Sequence, residues 1–277
     1  MESILLPTDF SQTAKNAAVY ALNLARQLGI KRLVLYHSYE IPVTIDPIVP
    51  GVQMLDIESL KINSMKALEN FEVQIKAFAN GIEVEHINEY GDLNEGLDDV
   101  CAKANASLVV MGISGGGILE EKLVGSNTVS VAKHTKVPVI IVPASATFER
   151  VRSVMIASDF DKADTTIPVK KIRTFIEGSQ AKLFVFHVEE KEPVTTPSSV
   201  LAESYAMHDA LQELDPEYHF SHHKNFGEAV NDFVSEQHID LIISVPKEHG
   251  FFAGLFSESH TKILAFHSHV PVMVVHK

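Results

Sequence analysis

VVMGISGGGILEEKLVGSNTVSVAKHTKVPVIIV runs from Val109 to Val142. It reads as a strand, a glycine-rich loop, a helix and a second strand. ASLVVMG, ending at Gly112, is a short apolar run of the kind buried on both faces of a parallel sheet. SNTVSVAKHT has helical character, and VPVIIV closes as another buried strand. The same order recurs in IISVPKEHGFFAGLFSESHTKILAFHSHVPVMVV, Ile242 to Val275, which aligns with it without a gap. Gly117, Ser126, Thr128, Ala132, His134, Val137, Pro138, Val139 and Val142 all meet identical residues. Self-similarity of this length marks a duplicated architecture.

The beginnings of the two halves agree as well. SILLPTDFSQTAKNA, from Ser3, matches SVMIASDFDKADTTI, from Ser153: an apolar strand, an Asp-Phe pair, then a helix. The small, polar segment PASATFER lies between the repeats and suits a boundary. The expected domains are therefore 1–144 and 150–277. In the first, a helical stripe runs from Ser11 to Leu28 with Gly29 as its stop. RLVLYHSY is the second strand, an amphipathic stretch spans about Asp56 to Ala79, IEVEHINE alternates like a strand, and LNEGLDDVCAKAN is a helix. Strands alternating with helices imply parallel strands joined by right-handed crossovers. The fold class is α/β: two tandem Rossmann-like domains, each a five-stranded parallel sheet flanked by helices. Ile41 to Gly51 and Glu189 to Ser199 are proline-containing and read as surface loops or lids.

The 277 residues suffice for two small cores, and 45% of them are apolar. A net charge of −13 argues against general binding of nucleic acid or an anionic membrane. Cys101 is the single cysteine, so no intrachain disulfide can form. It falls in a predicted helix and reads as a small core residue. The opening MESILLPTDF has no basic region or long apolar run, so no signal peptide is expected. No window approaches the roughly 18 apolar residues of a membrane span. The expectation is a cytoplasmic protein.

The glycines at 112, 115, 116 and 117 follow the strand ASLVVM, and Gly125-Ser126-Asn127 precedes a helix. Bare backbone lets N–H groups approach an anion and form a nest. A helix N-terminus adds free N–H groups and a positive dipole end. Together they can cradle phosphates without a basic residue. Neither standard motif is present. Ile118 and Leu119 stand where a P-loop needs Lys and Ser or Thr, and the first strand–helix turn, PTDFSQTA, lacks glycine. In a 3-2-1-4-5 sheet the first and fourth strands flank the switch point, so Asp9 and Gly112 would face one crevice. Asp9 could accept from an exocyclic amine or ribose hydroxyl. It could instead cap the first helix.

These residues resemble the universal stress protein family in its tandem form, with one nucleotide motif. Its ATP-binding members carry Gly, two residues, Gly, nine residues, then Gly with Ser or Thr; Gly112, Gly115, Gly125 and Ser126 meet that spacing. LLPTDFS resembles the family's first strand, and Lys136-Val137-Pro138-Val139 its last. The resemblance implies an adenine nucleotide alpha hydrolase-like fold and ATP, commonly with Mg²⁺ or Mn²⁺, over the sheet. By position, Asp9 would contact adenine and Ser38 would meet the base through its backbone. Met111 and Gly112 would lie near adenine and ribose. Gly115, Gly125, Ser126 and Asn127 would hold ribose and phosphates. It also implies pairing of two such domains, often through their last strands. Within one chain this would give an internal pseudo-two-fold pair, and a further homodimer stays open.

The second repeat departs from the motif. Val245, Glu248, Glu258 and His260 replace Gly112, Gly115, Gly125 and Asn127, while Ser259 and Asp159 are kept. Two carboxylates at a phosphate cradle repel the ligand, so the second domain is expected not to bind ATP in the same way. Eleven of the 14 histidines follow Ala144. His219, His222 and His223 could suggest Zn²⁺, but YHFSHHKN reads as a strand, which puts His222 on the face opposite His219 and His223. No metal site is assigned. Glu120, Glu121 and Lys122 could assist slow hydrolysis, yet nothing resembles a Walker B strand, an arginine finger or a catalytic triad. The functional expectation is an ATP-binding, nucleotide-responsive stress or signalling protein with no assigned catalytic residue. The alternatives are a true ATPase or phosphotransferase, and a ligand-free scaffold with a vestigial site.

Overall fold

Strand β1 (Ser3–Pro7) is fully buried and, past Ser3, apolar, as a central strand with helices on both faces must be. Its neighbours are β2 (Arg32–Tyr39) and β4 (Ala106–Ile113), both parallel to it. The order continues outward to β3 (Glu83–Tyr90) on one side and β5 (Val139–Pro143) on the other. The computed structural model describes residues 1–40, 57–113, 126–157, 167–189, 205, 207–246 and 270–277. Both expected proline-containing loops fall largely outside these, as do Gly115 and Gly125.

The first half carries α1 (Gln12–Leu28), α2 (Ile57–Ala79), α3 (Leu93–Ala104) and α4 (Ser126–His134). Ser11 caps α1 by accepting from the Ala14 N–H, and Gly29 ends it at φ 70°, in the left-handed conformation that glycine adopts without penalty. Asp92 caps α3 by accepting from two N–H groups. The second half has β6 (Ser153–Ala157), α5 (Val169–Ser179), β7 (Lys182–Glu189), β8 (Glu217–His222), α6 (Phe226–Glu236), β9 (Leu241–Ser244) and β10 (Val272–Val274). Residues 207–211 are also helical.

The two halves are two five-stranded parallel sheets joined edge to edge. The order is β3-β2-β1-β4-β5-β10-β9-β6-β7-β8, ten strands in all. Only β5 and β10 run antiparallel, with Val272, Met273 and Val274 opposite Ile141, Ile140 and Val139. Alternation along each strand sends residues to two cores. Ile4 and Leu6 join the core that also holds residues of α1, α2 and α5, whereas Leu5 joins the one that holds residues of α3, α4 and α6. Both cores run through the seam into the other half.

Expectation and structure part company at β8. The strand ends at His222 rather than continuing to Asn225. Asn225 instead caps α6, its side-chain oxygen accepting from Gly227 and Glu228 N–H groups while its amide donates to Glu228 Oε1. The Asn-x-x-Glu spacing is the signal that marks this start. His219 lies against the rings of Phe184 and Phe233 and is hydrogen-bonded to Glu217. Among the described residues no cluster of three His, Cys, Asp or Glu could hold a metal ion. Likewise, none of the described helices is long and apolar enough to cross a membrane.

Helix α1 is also tied to the connection between the halves. Asn16 Nδ2 donates to the Pro143 and Ala146 carbonyls at 3.2 and 2.8 Å. The Tyr20 ring meets Phe148 edge-on at 5.1 Å. Gln27 donates to the Val151 and Ser179 carbonyls and accepts from the Val151 N–H. From the second half, Lys171 Nζ donates to the carbonyls of Lys136 and His276.

Two outcomes follow from this packing. Gln27→Ala strands three main-chain groups and should cost about 1–3 kcal/mol. Urea unfolding should show this as a lower midpoint of one shared transition, because each core spans both halves. Cys101 is buried in α3, and burial first, then Asp98, push its thiol up to about 12. It should stay unreactive to Ellman's reagent at neutral pH until denaturant opens the core.

Candidate functional site

The strand order reverses between β1 and β4, and their carboxyl ends lead to Asp9 and to the glycine-rich segment. Two helices begin at this place. The first turn of α1 packs against Gly112 so closely that a Cβ there would lie 2.6 Å from the Thr13 carbonyl oxygen. That distance excludes any side chain. The first turn of α4 reaches the same residue from its other side: the Thr128 hydroxyl donates to the Gly112 carbonyl at 2.9 Å. Two positive dipole ends therefore converge on the carboxyl end of β4.

The remaining sequence candidates take definite places. Asp9 is exposed beyond β1, and its Oδ1 accepts from the Ser11 N–H at 3.0 Å. The helix cap is Ser11, so Asp9 shapes the turn before the helix rather than capping it. Ser38 donates its hydroxyl to the Gly91 carbonyl, which occupies the side chain. Its main chain has a different outlook. The Tyr36 carbonyl accepts from Thr8 on the β1 side, and the Tyr39 carbonyl from Gly91 on the β3 side. By alternation, the N–H and C=O of Ser38 face the β1 side, two residues past the final β1–β2 pair at Pro7 and Tyr36.

Met111 sends its side chain into the core with α3 and α4, opposite Ile141. It can offer a ligand little beyond its main chain. Ser126 opens α4, and Asn127 is exposed on its first turn. Asp9, Gly112, Ser126 and Asn127 are thus brought to the ends of β1 and β4, with Ser38 one strand away. Gly115 and Gly125 lie outside the described residues.

Four residues join the site that motif reading passed over. Thr13 and Thr128 fix Gly112. Phe10 and His37 form an aromatic pair beside Asp9, with centroids 4.5 Å apart. His37 Nδ1 lies 2.7 Å from the Thr8 carbonyl, an arrangement that requires the proton on Nδ1. A signal for Thr128 was present, since Thr261 repeats it, and Asp159-Phe160 repeats Asp9-Phe10.

With this geometry in view, comparison with known proteins places the chain. The sequence model of the universal stress protein family matches residues 1–143. The chain belongs to the universal stress protein family. A universal stress protein of Methanocaldococcus jannaschii is 30% identical over 145 residues, covering 51% of this chain and 81% of that protein. A universal stress protein structure from Archaeoglobus fulgidus superposes over 99% of this chain and 96% of its own, with TM-score 0.69 at 20% identity. A functionally unknown protein from Pseudomonas aeruginosa superposes over 99% and 92%, with TM-score 0.58 at 13% identity. These two structural likenesses establish the fold. The matched family region ends with β5, whereas the two structural likenesses extend over 99% of this chain.

The close approach at Gly112 is directly testable. Gly112→Ala forces a methyl against main chain that cannot rotate away, and should cost about 1–3 kcal/mol in urea unfolding. Thr128→Val removes the donor to the Gly112 carbonyl and should cost about 1 kcal/mol. A Gly112→Ala protein as stable as the parent would mean that α1 does not sit against β4 as described.

Proposed function

We propose that the first half binds an adenine nucleotide, ATP with Mg²⁺ or Mn²⁺, and that the protein acts as a nucleotide-responsive stress or signalling protein. The observation that carries this reading is the convergence of the α1 and α4 N-termini on Gly112 at the point where strand order reverses. Open α/β sheets take ligands at such a point, and helix N-termini favour anions. Asp9 and the main chain of Ser38 supply an acceptor and a polar edge on the β1 side, suited to a base or ribose. Gly112, Gly115, Gly125, Ser126 and Asn127 are the residues suited to ribose and phosphates. Met111 contributes through its main chain. The metal would sit on the phosphates, where it neutralises charge.

Turnover is at most slow. A phosphoryl-transfer site needs a group that orients the nucleophile and cations that answer the developing charge. No described side chain near Gly112 takes either role. The second half differs at the residue corresponding to Gly112: Val245 is buried in the core there. With Glu248 and Glu258 in place of two further glycines, that half serves as a structural or regulatory partner.

Identification of bound nucleotide tests the reading. The protein is purified without added nucleotide and denatured, and released small molecules are separated and weighed. A single equivalent of ATP or ADP per chain is expected, together with its loss in Gly125→Glu, which copies Glu258. Added ATP–Mg²⁺ at about 100 times Kd should stabilise the parent by about 2.7 kcal/mol and leave the variant unmoved. Two equivalents would overturn the asymmetry between the halves. Rapid phosphate release would favour a true ATPase. A parent that neither carries nor binds nucleotide would leave the scaffold reading.

A further inference from the structure

Six non-glycine residues among those described have positive φ. Five follow the ends of helices: Asn80, Asn105, Gln180, Asp215 and His238, where a left-handed residue is the ordinary way to stop. The sixth is Phe10, at φ 65°, and it precedes a helix. A bulky aromatic residue in this conformation sets its Cβ against the following main chain, and it persists only where its surroundings hold it there.

The surroundings of Phe10 do so. Its ring lies 4.5 Å from that of His37 and 5.9 Å, edge-on, from that of Phe71 on α2. Its N–H donates to Thr8 Oγ1 at 3.0 Å. Thr8 is in turn buried and held to β2 through its N–H to Tyr36 and its carbonyl to His37. The chain is thus gripped on both sides of Asp9 while Asp9 itself stays exposed. The Asp9 Oδ1 bond to the Ser11 N–H closes the turn.

We propose that Phe10 is a positioning residue for nucleotide recognition: its ring, wedged between His37 and Phe71, holds the turn left-handed and so fixes the direction of the Asp9 carboxylate. The inference rests on the adenine-nucleotide reading given above. It assigns the ring a role that no direct contact with ligand requires. It also accounts for a costly residue where asparagine or glycine would adopt the same φ without strain. Asn and Gly satisfy the backbone but lack the wedge. Only a residue anchored in the core can refuse the turn its other conformations.

The test separates backbone tolerance from anchoring. ATP–Mg²⁺ affinity is measured by calorimetry for the parent, Phe10→Asn, Asp9→Ala and the double variant, with Phe10→Leu as a bulkier control should Phe10→Asn fold poorly. Phe10→Asn should weaken binding about tenfold in the parent and less than about twofold when Asp9 is already Ala. Hydrogen exchange without nucleotide supplies an independent readout. The Ser11 amide, bonded to Asp9, should exchange faster in Phe10→Asn, whereas the Ala14 amide, bonded to Ser11, should not. Equal losses with and without Asp9, or an unchanged Ser11 amide, would overturn the proposal. If the parent binds no nucleotide, the nucleotide reading falls with the recognition role. Faster Ser11 exchange would then still support the hold of Phe10 on Asp9, and unchanged exchange would remove it.

Discussion

The contact between the Thr13 carbonyl and Gly112 sets how deeply α1 lies on the sheet. Everything further along the helix follows from that depth. Asn16 then reaches the carbonyls of Pro143 and Ala146, Tyr20 reaches Phe148, and Gln27 reaches Val151 and Ser179. One helix therefore spans from the ends of β1 and β4 to the second half. A methyl at Gly112 would lift its first turn away, and the polar contacts downstream have little reach to spare. Hydrogen bonds weaken steeply outside a narrow range of length and angle.

This arrangement explains why the same glycine can serve two purposes. A ligand cradle wants bare backbone, and so does a close helix–strand crossing. At Gly112 the crossing alone accounts for the residue. The proposed nucleotide site would place a second constraint on the same residue. The second half has Val245 at the corresponding position, buried just past the end of β9.

Much of the architecture was legible in the sequence because it rests on local pattern. The buried strands are short apolar runs rich in Val, Ile and Leu, and α1 has an apolar stripe bounded by Ser11 and Gly29. Both signals act within a few residues. The repeat made the strand order readable twice. What escaped were contacts between residues far apart in the chain. Nothing near Gly112 names Thr13 as its neighbour, and no local pattern marks Asn16 or Gln27, whose partners lie far along the chain. Phe10 escaped for the opposite reason: local rules argue against a left-handed phenylalanine, and only tertiary packing reverses them. Asn225 is different: its spacing to Glu228 is a local capping signal that overrides the strand pattern before it. At the site, Asp9 and the end of β4 were placed by topology. That Ser38 spends its hydroxyl on Gly91 and Met111 its side chain on the core required coordinates.

The antiparallel join of β5 to β10 has a consequence for how such a molecule can change over generations. When two identical chains meet through their last strands, any substitution appears on both sides of the seam and at both crevices at once. Here the partners are covalently one, and their encounter is intramolecular whatever the cellular concentration. The seam is preserved by β5 and β10, by α1 against the second half, and by the cores that cross it. The loops at the far ends of the sheet are released from symmetry, and each copy can drift separately. A half with two carboxylates where the other has glycines still supplies its edge to the shared sheet. Two similar halves on one chain form a permanent pair whose members are free to differ.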